Sequence, residues 1–283
     1  MTSGLNVLKT IKLYMNGEFV RGESGKYSTM KYYNSDKHYA HITLGSRKDF
    51  RGAVESSHAA QPGWSGKTAY NRGQILYRMA EMMEGKRAEI ISVLKDANGL
   101  SEKEANAEVD GAIDSFVYFA GFSDKYTSLV DNINPINGPF HNFTSSEAMG
   151  VTVLVCEKKL SLGRLAAQMS AIICGGNSCI ALLSENYWSV VASLGEVFAT
   201  SDLPKGTINI LATTNNELLE WFAGHMEVKA VSFQDQDEDA IYKVKEWGID
   251  NMKRIILPRK DTLCLEMISD YLEFKTSWHP IGF

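Results

Sequence analysis

Gly150-Val151-Thr152-Val153-Leu154-Val155-Cys156 opens a stretch in which short, wholly apolar runs alternate with helical ones, and that alternation decides the fold. The apolar runs are 151–156, 178–183, 207–211, 228–233 and 253–257. Between them, apolar residues recur at helical spacing over 162–174, 187–200, 215–222 and 237–247. A strand that is apolar on both sides is buried on both faces, and a single helix between two such strands returns the chain for parallel pairing. The segment therefore reads as a doubly wound, Rossmann-like α/β domain over residues 150–260. Gly175-Gly176-Asn177 and Asp202-Leu203-Pro204-Lys205-Gly206 supply tight turns into two of the strands.

Outward from this core, residues 12–20 alternate around Asn16-Gly17, both of which tolerate positive φ, so a two-residue β-hairpin is expected. Helical spacing runs over 47–60 and again over 70–98, where Gly99 is placed as a C-terminal stop. Ser101 starts a further long helix to about Leu129. Residues 135–143, rich in Asn, Gly and Pro, read as a connection, and the tail 271–280 has the partly alternating pattern of a strand.

Composition narrows the partners. A net charge of −5 argues against nucleic acid, whose binding draws on clustered Lys and Arg. No apolar run is long enough to span a membrane, and the N-terminal residues lack the apolar stretch of a signal peptide. A cytoplasmic protein is expected, in which the sequon at Asn142 stays unglycosylated. Cys156, Cys174, Cys179 and Cys264 have neither CxxC spacing nor the density of a disulfide scaffold, and are expected to be reduced packing residues.

Several segments, in order, resemble the aldehyde dehydrogenase superfamily. Residues 12–20 are similar to its opening "xLYINGEWV" hairpin, and 70–83 to its "R…L.R.AD.LE" helix. Tyr118-Phe119-Ala120-Gly121-Phe122-Ser123-Asp124-Lys125 is close to "YYAG.ADK". Residues 147–185 resemble "EPVGVVGVI.PWNFPL…PALAAGNTVVLKPSE", and 202–211 resemble "GLPPGVVNVV". The resemblance covers about residues 11–257 and implies an NAD-binding type of domain. It also implies an arm, since family members end in a strand like "YTE.K.VW" that joins a hairpin before the nucleotide domain. Here 271–280 resembles that ending and 140–153 the hairpin. The implied organisation is an N-terminal hairpin and helical part over 1–135, an oligomerisation arm from 136–153 plus 271–283, and the sheet domain over 150–260. Only residues 258–270 remain where the family has its catalytic domain, which is expected to be absent.

The family's chemistry does not carry over. Its oxyanion-stabilising Asn in "PWNFP" is a fixed amide donor. The matching loop is Glu157-Lys158-Lys159-Leu160-Ser161, with a flexible ammonium at Lys159. The ribose-binding "KPSE" is Leu182-Leu183-Ser184-Glu185, where only a vestigial Glu185 survives. The pyrophosphate-binding "SFTGST" is Ser232-Phe233-Gln234-Asp235-Gln236-Asp237-Glu238-Asp239, whose carboxylates would repel a dinucleotide and suit the following helix dipole themselves. Asp235, Asp237, Asp239 and Glu246 are spaced somewhat like a calcium loop, but Ala240 stands where its obligatory Gly belongs, so no metal is expected. Pro258-Arg259-Lys260 replaces the general-base "LELGGK" segment, and none of the four cysteines has the context of the nucleophile.

The expectation is therefore a non-catalytic aldehyde-dehydrogenase-like subunit without a cofactor, similar to the domain that ends family-sixteen aldehyde dehydrogenases and some bifunctional proline-utilisation enzymes. It would dock through its arm on an active aldehyde dehydrogenase or self-associate, with Phe143, Phe274, Trp278 and Pro280 at the interface; the alternative for Phe274 and Trp278 is packing within the chain's own arm. The competing expectation is an NAD(P)-binding oxidoreductase or nucleotide sensor that keeps the nucleotide through Glu185 and the loop at Lys158. A third is a remnant without a dedicated partner.

Overall fold

The structure is a computed structural model that describes residues 7–214, 217–261 and 263–282. In chain order, β1 (Lys9–Ile11), β2 (Leu13–Met15), β3 (Glu18–Val20), β4 (Tyr27–Lys31) and β5 (His38–Thr43) precede the helices α1 (Arg47–Ser65), α2 (Ala69–Gly85), α3 (Arg87–Asn98), α4 (Glu102–Phe122) and α5 (Tyr126–Val130). Next come β6 (Asn132–Ile133), β7 (Phe140–Ala148), β8 (Val151–Val155), α6 (Leu162–Cys174), β9 (Ser178–Leu183), α7 (Val191–Ala199) and β10 (Ile208–Ala212). The chain then forms α8 (Leu219–Gly224), β11 (Val228–Phe233), α9 (Glu238–Trp247), β12 (Arg254–Ile256), α10 (Glu266–Ser269) and β13 (Leu272–Pro280).

The central sheet has the order β12-β11-β8-β9-β10-β2-β3. Its first five strands pair in parallel, and the N-terminal hairpin adds antiparallel through Ile210 opposite Tyr14. The hairpin turns at Asn16 (φ 51°) and Gly17 (φ 74°), the left-handed pair that lets a two-residue loop follow the strand twist.

Each parallel strand feeds two cores, as its period of two requires. Leu154 and Ala181 join Leu76, Phe116, Ile172 and Leu194 on one face. Their neighbours Val153, Val155, Ile180 and Leu182 join Phe50, Val54, Phe222 and Val244 on the other. Burial on both faces is the reason these strands read as continuous apolar runs.

The arm is a separate three-stranded sheet, β13-β7-β6. β13 pairs with β7 along its whole length, from Leu272 opposite Ala148 to Pro280 opposite Phe140. Buried Asn177 ties its root to the sheet domain, donating from Nδ2 to Tyr271 O (2.9 Å) and Ile172 O (3.1 Å), while its Oδ1 accepts from Gly150 N (2.9 Å).

Some boundaries differ from the sequence reading. The expected helix over 70–98 is two helices that break at Lys86, whose N–H closes onto Met82 and Met83 carbonyls; Gly99 does stop the second, at φ 72°. The helix from Ser101 ends at Phe122, with α5 as a separate turn. The stretch 187–200 opens with a 3-10 turn, Glu185–Val190, before α7. The helix expected over 215–222 begins outside the described residues; α8 spans Leu219–Gly224. The connection expected over 135–143 gives way at Phe140 to β7, because β13 supplies the long-range partner that local composition does not reveal. Likewise 140–153 is no hairpin: β7 pairs back with β6, and 151–153 belong to the central sheet.

Candidate functional site

In a doubly wound sheet, the crevice for a ligand lies beyond the carboxyl ends of the strands where the winding reverses. Here the chain winds from β8 outward through β9 and β10, then returns to lay β11 and β12 on the other side of β8, so the switch point lies between β8 and β11.

Three of the protein's own side chains bond across that crevice. Glu157, the second residue after β8, is 8% exposed and pairs with Arg164 Nη1 at 3.0 Å. Arg164 Nη2 also donates to Gln234 O (3.3 Å), and Gln234 Oε1 accepts from Glu157 N (3.2 Å). Gln234 is 1% exposed and stands directly after β11, so this triad stitches the ends of the two switch-point strands together. Burial pushes the Glu157 carboxyl above its usual range, against the opposing pull of Arg164. Lys158 N–H donates to Asp235 Oδ2 (3.3 Å), and Lys158 Nζ lies 3.6 Å from Asp237 Oδ2.

Two helix N-termini at this end of the sheet, the usual seats for a phosphate, already hold carboxylates. Asp237 is the N-cap of α9 and accepts from Ala240 N at 3.1 Å, as the self-capping reading expects. Glu108, reaching from α4, accepts from Leu162 N at 2.6 Å at the start of α6. Asp239 and Glu246 lie on α9, and among the described residues no group of three His, Cys, Asp or Glu side chains gathers as a metal site.

The other positions singled out from the sequence disperse. Lys159 is exposed, and its carbonyl accepts from the Tyr187 hydroxyl (3.0 Å). Glu185 is exposed at the start of the 3-10 turn, whereas Leu182 is buried in the second core. Three thiols are buried. Burial pushes Cys156 and Cys174 each up to about 11 and raises Cys179 further; Cys156 Sγ also accepts from Ser184 N at 2.9 Å. Cys264 is half-buried and raised too, first by desolvation. Little thiolate exists at neutral pH in any of them.

In the arm, directly opposed residues share a face. Phe274, Trp278 and Pro280 therefore lie together with Phe140, whose ring meets Trp278 edge-on at 5.9 Å. Phe274 is 47% and Trp278 61% exposed. Phe143 does not join them: it points to the other face beside His141 and Ile133, lining an open groove against α5. Asn142, the sequon residue, is buried, and its Oδ1 accepts from Asn134.

Sequence reasoning missed Arg164, Gln234, Glu108 and Phe140. Arg164 carried a signal, as the one charge in an otherwise apolar helix; which strand end it would meet did not follow from that.

Strand order and winding together define a doubly wound, Rossmann-like α/β domain. The chain belongs to the aldehyde dehydrogenase family, whose model matches residues 19–258. It is 24% identical over 248 residues to the D-glyceraldehyde dehydrogenase (NADP(+)) of Thermoplasma acidophilum, covering 87% of this chain and 49% of that protein. It is 26% identical to the cytosolic 10-formyltetrahydrofolate dehydrogenase of Mus musculus, covering 87% of this chain and 28% of that one. The NAD+ complex of an aldehyde dehydrogenase from Bacillus cereus superposes with a TM-score of 0.81 at 20% identity, over 88% of this chain and 50% of that chain. The chain thus spans about half the length, or less, of the relatives it matches. Among the described residues, no helix is long and apolar enough to cross a membrane.

Proposed function

We propose that this chain is a non-catalytic member of its family, which binds no dinucleotide and acts by docking through its arm on an active aldehyde dehydrogenase subunit in the cytoplasm, with no nucleic-acid or membrane partner. The observation that carries the reading is the Glu157–Arg164–Gln234 triad across the switch point. A dinucleotide entering there must break a partly buried ion pair and then meet the carboxylates of Asp235 and Asp237 with its pyrophosphate. The burial of Cys156, Cys174 and Cys179, which raises all three thiols, supports the reading that none of these is poised as a nucleophile. Between β12 and the arm strand lie only residues 257–271, the interval in which the resemblance places the family's catalytic domain. The arm supplies what docking requires: a strand edge that pairs with no other strand among the described residues, and exposed aromatics.

Isothermal titration tests both halves. NAD and NADH are expected to give no heat of binding, while an active aldehyde dehydrogenase purified from the same source binds stoichiometrically. Micromolar NAD affinity would sink the non-catalytic reading, and absence of any complex would sink the docking.

A second reading, an NAD(P)-dependent oxidoreductase or nucleotide sensor, is favoured by exposed Glu185 at the end of β9, where a ribose diol can still find an acceptor. The NADP(+) and NAD+ in the names of two relatives belong to those proteins. This reading expects saturable NAD(P) binding that Glu185→Ala abolishes.

A further inference from the structure

β13 ends its sheet, so one side of its backbone is open among the described residues. Which groups line that side follows from three bonds. Ile281 N–H donates to Pro139 O, on the β7 side. Leu272 O is taken by Arg254 Nη1 at 2.7 Å. On β7, Asn142 O accepts from Asn134 N on the side away from β13, and Asn142 lies opposite Trp278. Odd-numbered residues of β13 therefore bond to β7. The N–H and C=O groups of Phe274, Thr276 and Trp278 face outward. Pro280 falls on the same outward set, where its missing N–H costs no bond to β7.

The strand Leu272–Pro280 has Thr276 at its midpoint, and its side chains are complementary about that point. An antiparallel copy centred there places Thr276 opposite Thr276, Phe274 opposite Trp278, Lys275 opposite Ser277 and Glu273 opposite His279. No like charges meet. The acidic position faces the one that can be cationic, and the two large aromatics face each other twice. The parity is also the right one. Thr276 and the Phe274/Trp278 pairs all carry outward N–H and C=O groups, so each opposed pair exchanges both of its main-chain hydrogen bonds.

We propose that the open edge of β13 pairs with β13 of a second copy of this chain, in antiparallel register about a two-fold axis at Thr276. The arms then form one continuous sheet, β6-β7-β13 and its mirror order, with Phe274 and Trp278 of each copy stacked across the seam. This goes beyond the docking on a dehydrogenase and does not depend on it. Both contacts use the same edge, so the dimer is the form of the chain without its dehydrogenase.

The test uses the full chain alone, in a Cys264→Ser background that removes the one thiol not buried. Sedimentation equilibrium at tens of micromolar is expected to give about twice 31.4 kDa. Thr276→Cys is expected to cross-link that dimer under mild oxidation, because a hydrogen-bonded antiparallel pair holds its Cα atoms about 5.5 Å apart, within disulfide range. Phe274→Cys and Ser277→Cys, which in this register do not face themselves, are expected to stay monomeric on non-reducing gels. Thr276→Pro leaves every bond to β7 in place and is expected to weaken dimerisation by about tenfold or more, since it removes the central outward N–H of each copy. A monomer at these concentrations, or a dimer cross-linked as well through position 274 or 277, overturns the proposal. A monomer that still binds an active dehydrogenase overturns it too, while leaving the docking intact.

Discussion

The switch-point crevice and the arm are built from opposite uses of polar groups. In the crevice, Glu157 and Gln234 are buried, Arg164 is partly so, and the three bond to one another, while Glu157 Oε1 and Gln234 Nε2 find no partner. In the arm, one side of β13 pairs with no other strand among the described residues, and Phe274 and Trp278 are exposed. The difference teaches where each region can act. A ligand entering such a site must displace the Glu157–Arg164 and Arg164–Gln234 contacts before it gains bonds of its own. An edge strand gains a bond for each outward group it pairs.

The largest expected effect tests the closed region. Arg164→Met leaves the Glu157 carboxylate without its cation and is expected to lower stability by about 2–3 kcal/mol in urea unfolding, below the figure for a fully buried pair because the Arg164 side chain is 32% exposed. A loss under 0.5 kcal/mol would mean that the triad does not hold the crevice shut. Next, Trp278→Ala and Phe274→Ala are expected each to weaken docking on an active dehydrogenase about tenfold while barely moving the melting temperature, since both side chains are exposed. A change in stability without a change in docking would assign them to the chain's own packing. Asp237→Ala removes the α9 cap and is expected to cost about 1 kcal/mol, again with no NAD binding gained.

Acidity gives a smaller effect with a definite sign. Burial raises the Glu157 carboxyl, so the native state holds a proton that the unfolded state releases between the ordinary carboxylate range and the raised value. That contribution to stability is present at the acidic end of the window and is lost as pH rises through it. Glu157→Gln is expected to flatten this part of the melting-temperature profile; an unchanged slope would place its origin elsewhere. The smallest expected effect is none: Glu185→Ala leaves stability and nucleotide titrations as they were, and any change in the latter would favour the cofactor-binding reading.

Much of the sheet was legible because each strand is apolar on both faces and each helix repeats at its own period. β9, β11 and α6 lie where those patterns end. The arm was harder. β7 carries Thr, Ser, Asn and Glu, and its start at Phe140 follows an Asn-Gly-Pro stretch that local rules read as loop. The site was legible only by subtraction. Lys159, Leu182 and the acidic run at Asp235 departed visibly from the family's motifs, whereas the side chains that bond across the crevice come from three separate segments.

From the sequence alone came the parallel α/β core, the hairpin at Asn16-Gly17, the stop at Gly99 and the self-capping of α9, because each depends on residues near one another in the chain and on conformations those residues prefer. Tertiary structure alone decided that Arg164 bridges the ends of β8 and β11, that Phe143 turns away from Trp278, and that the outward backbone of β13 belongs to Phe274, Thr276 and Trp278. These depend on which strands meet and in what register, and register is set by pairing across more than a hundred residues, which no local preference encodes.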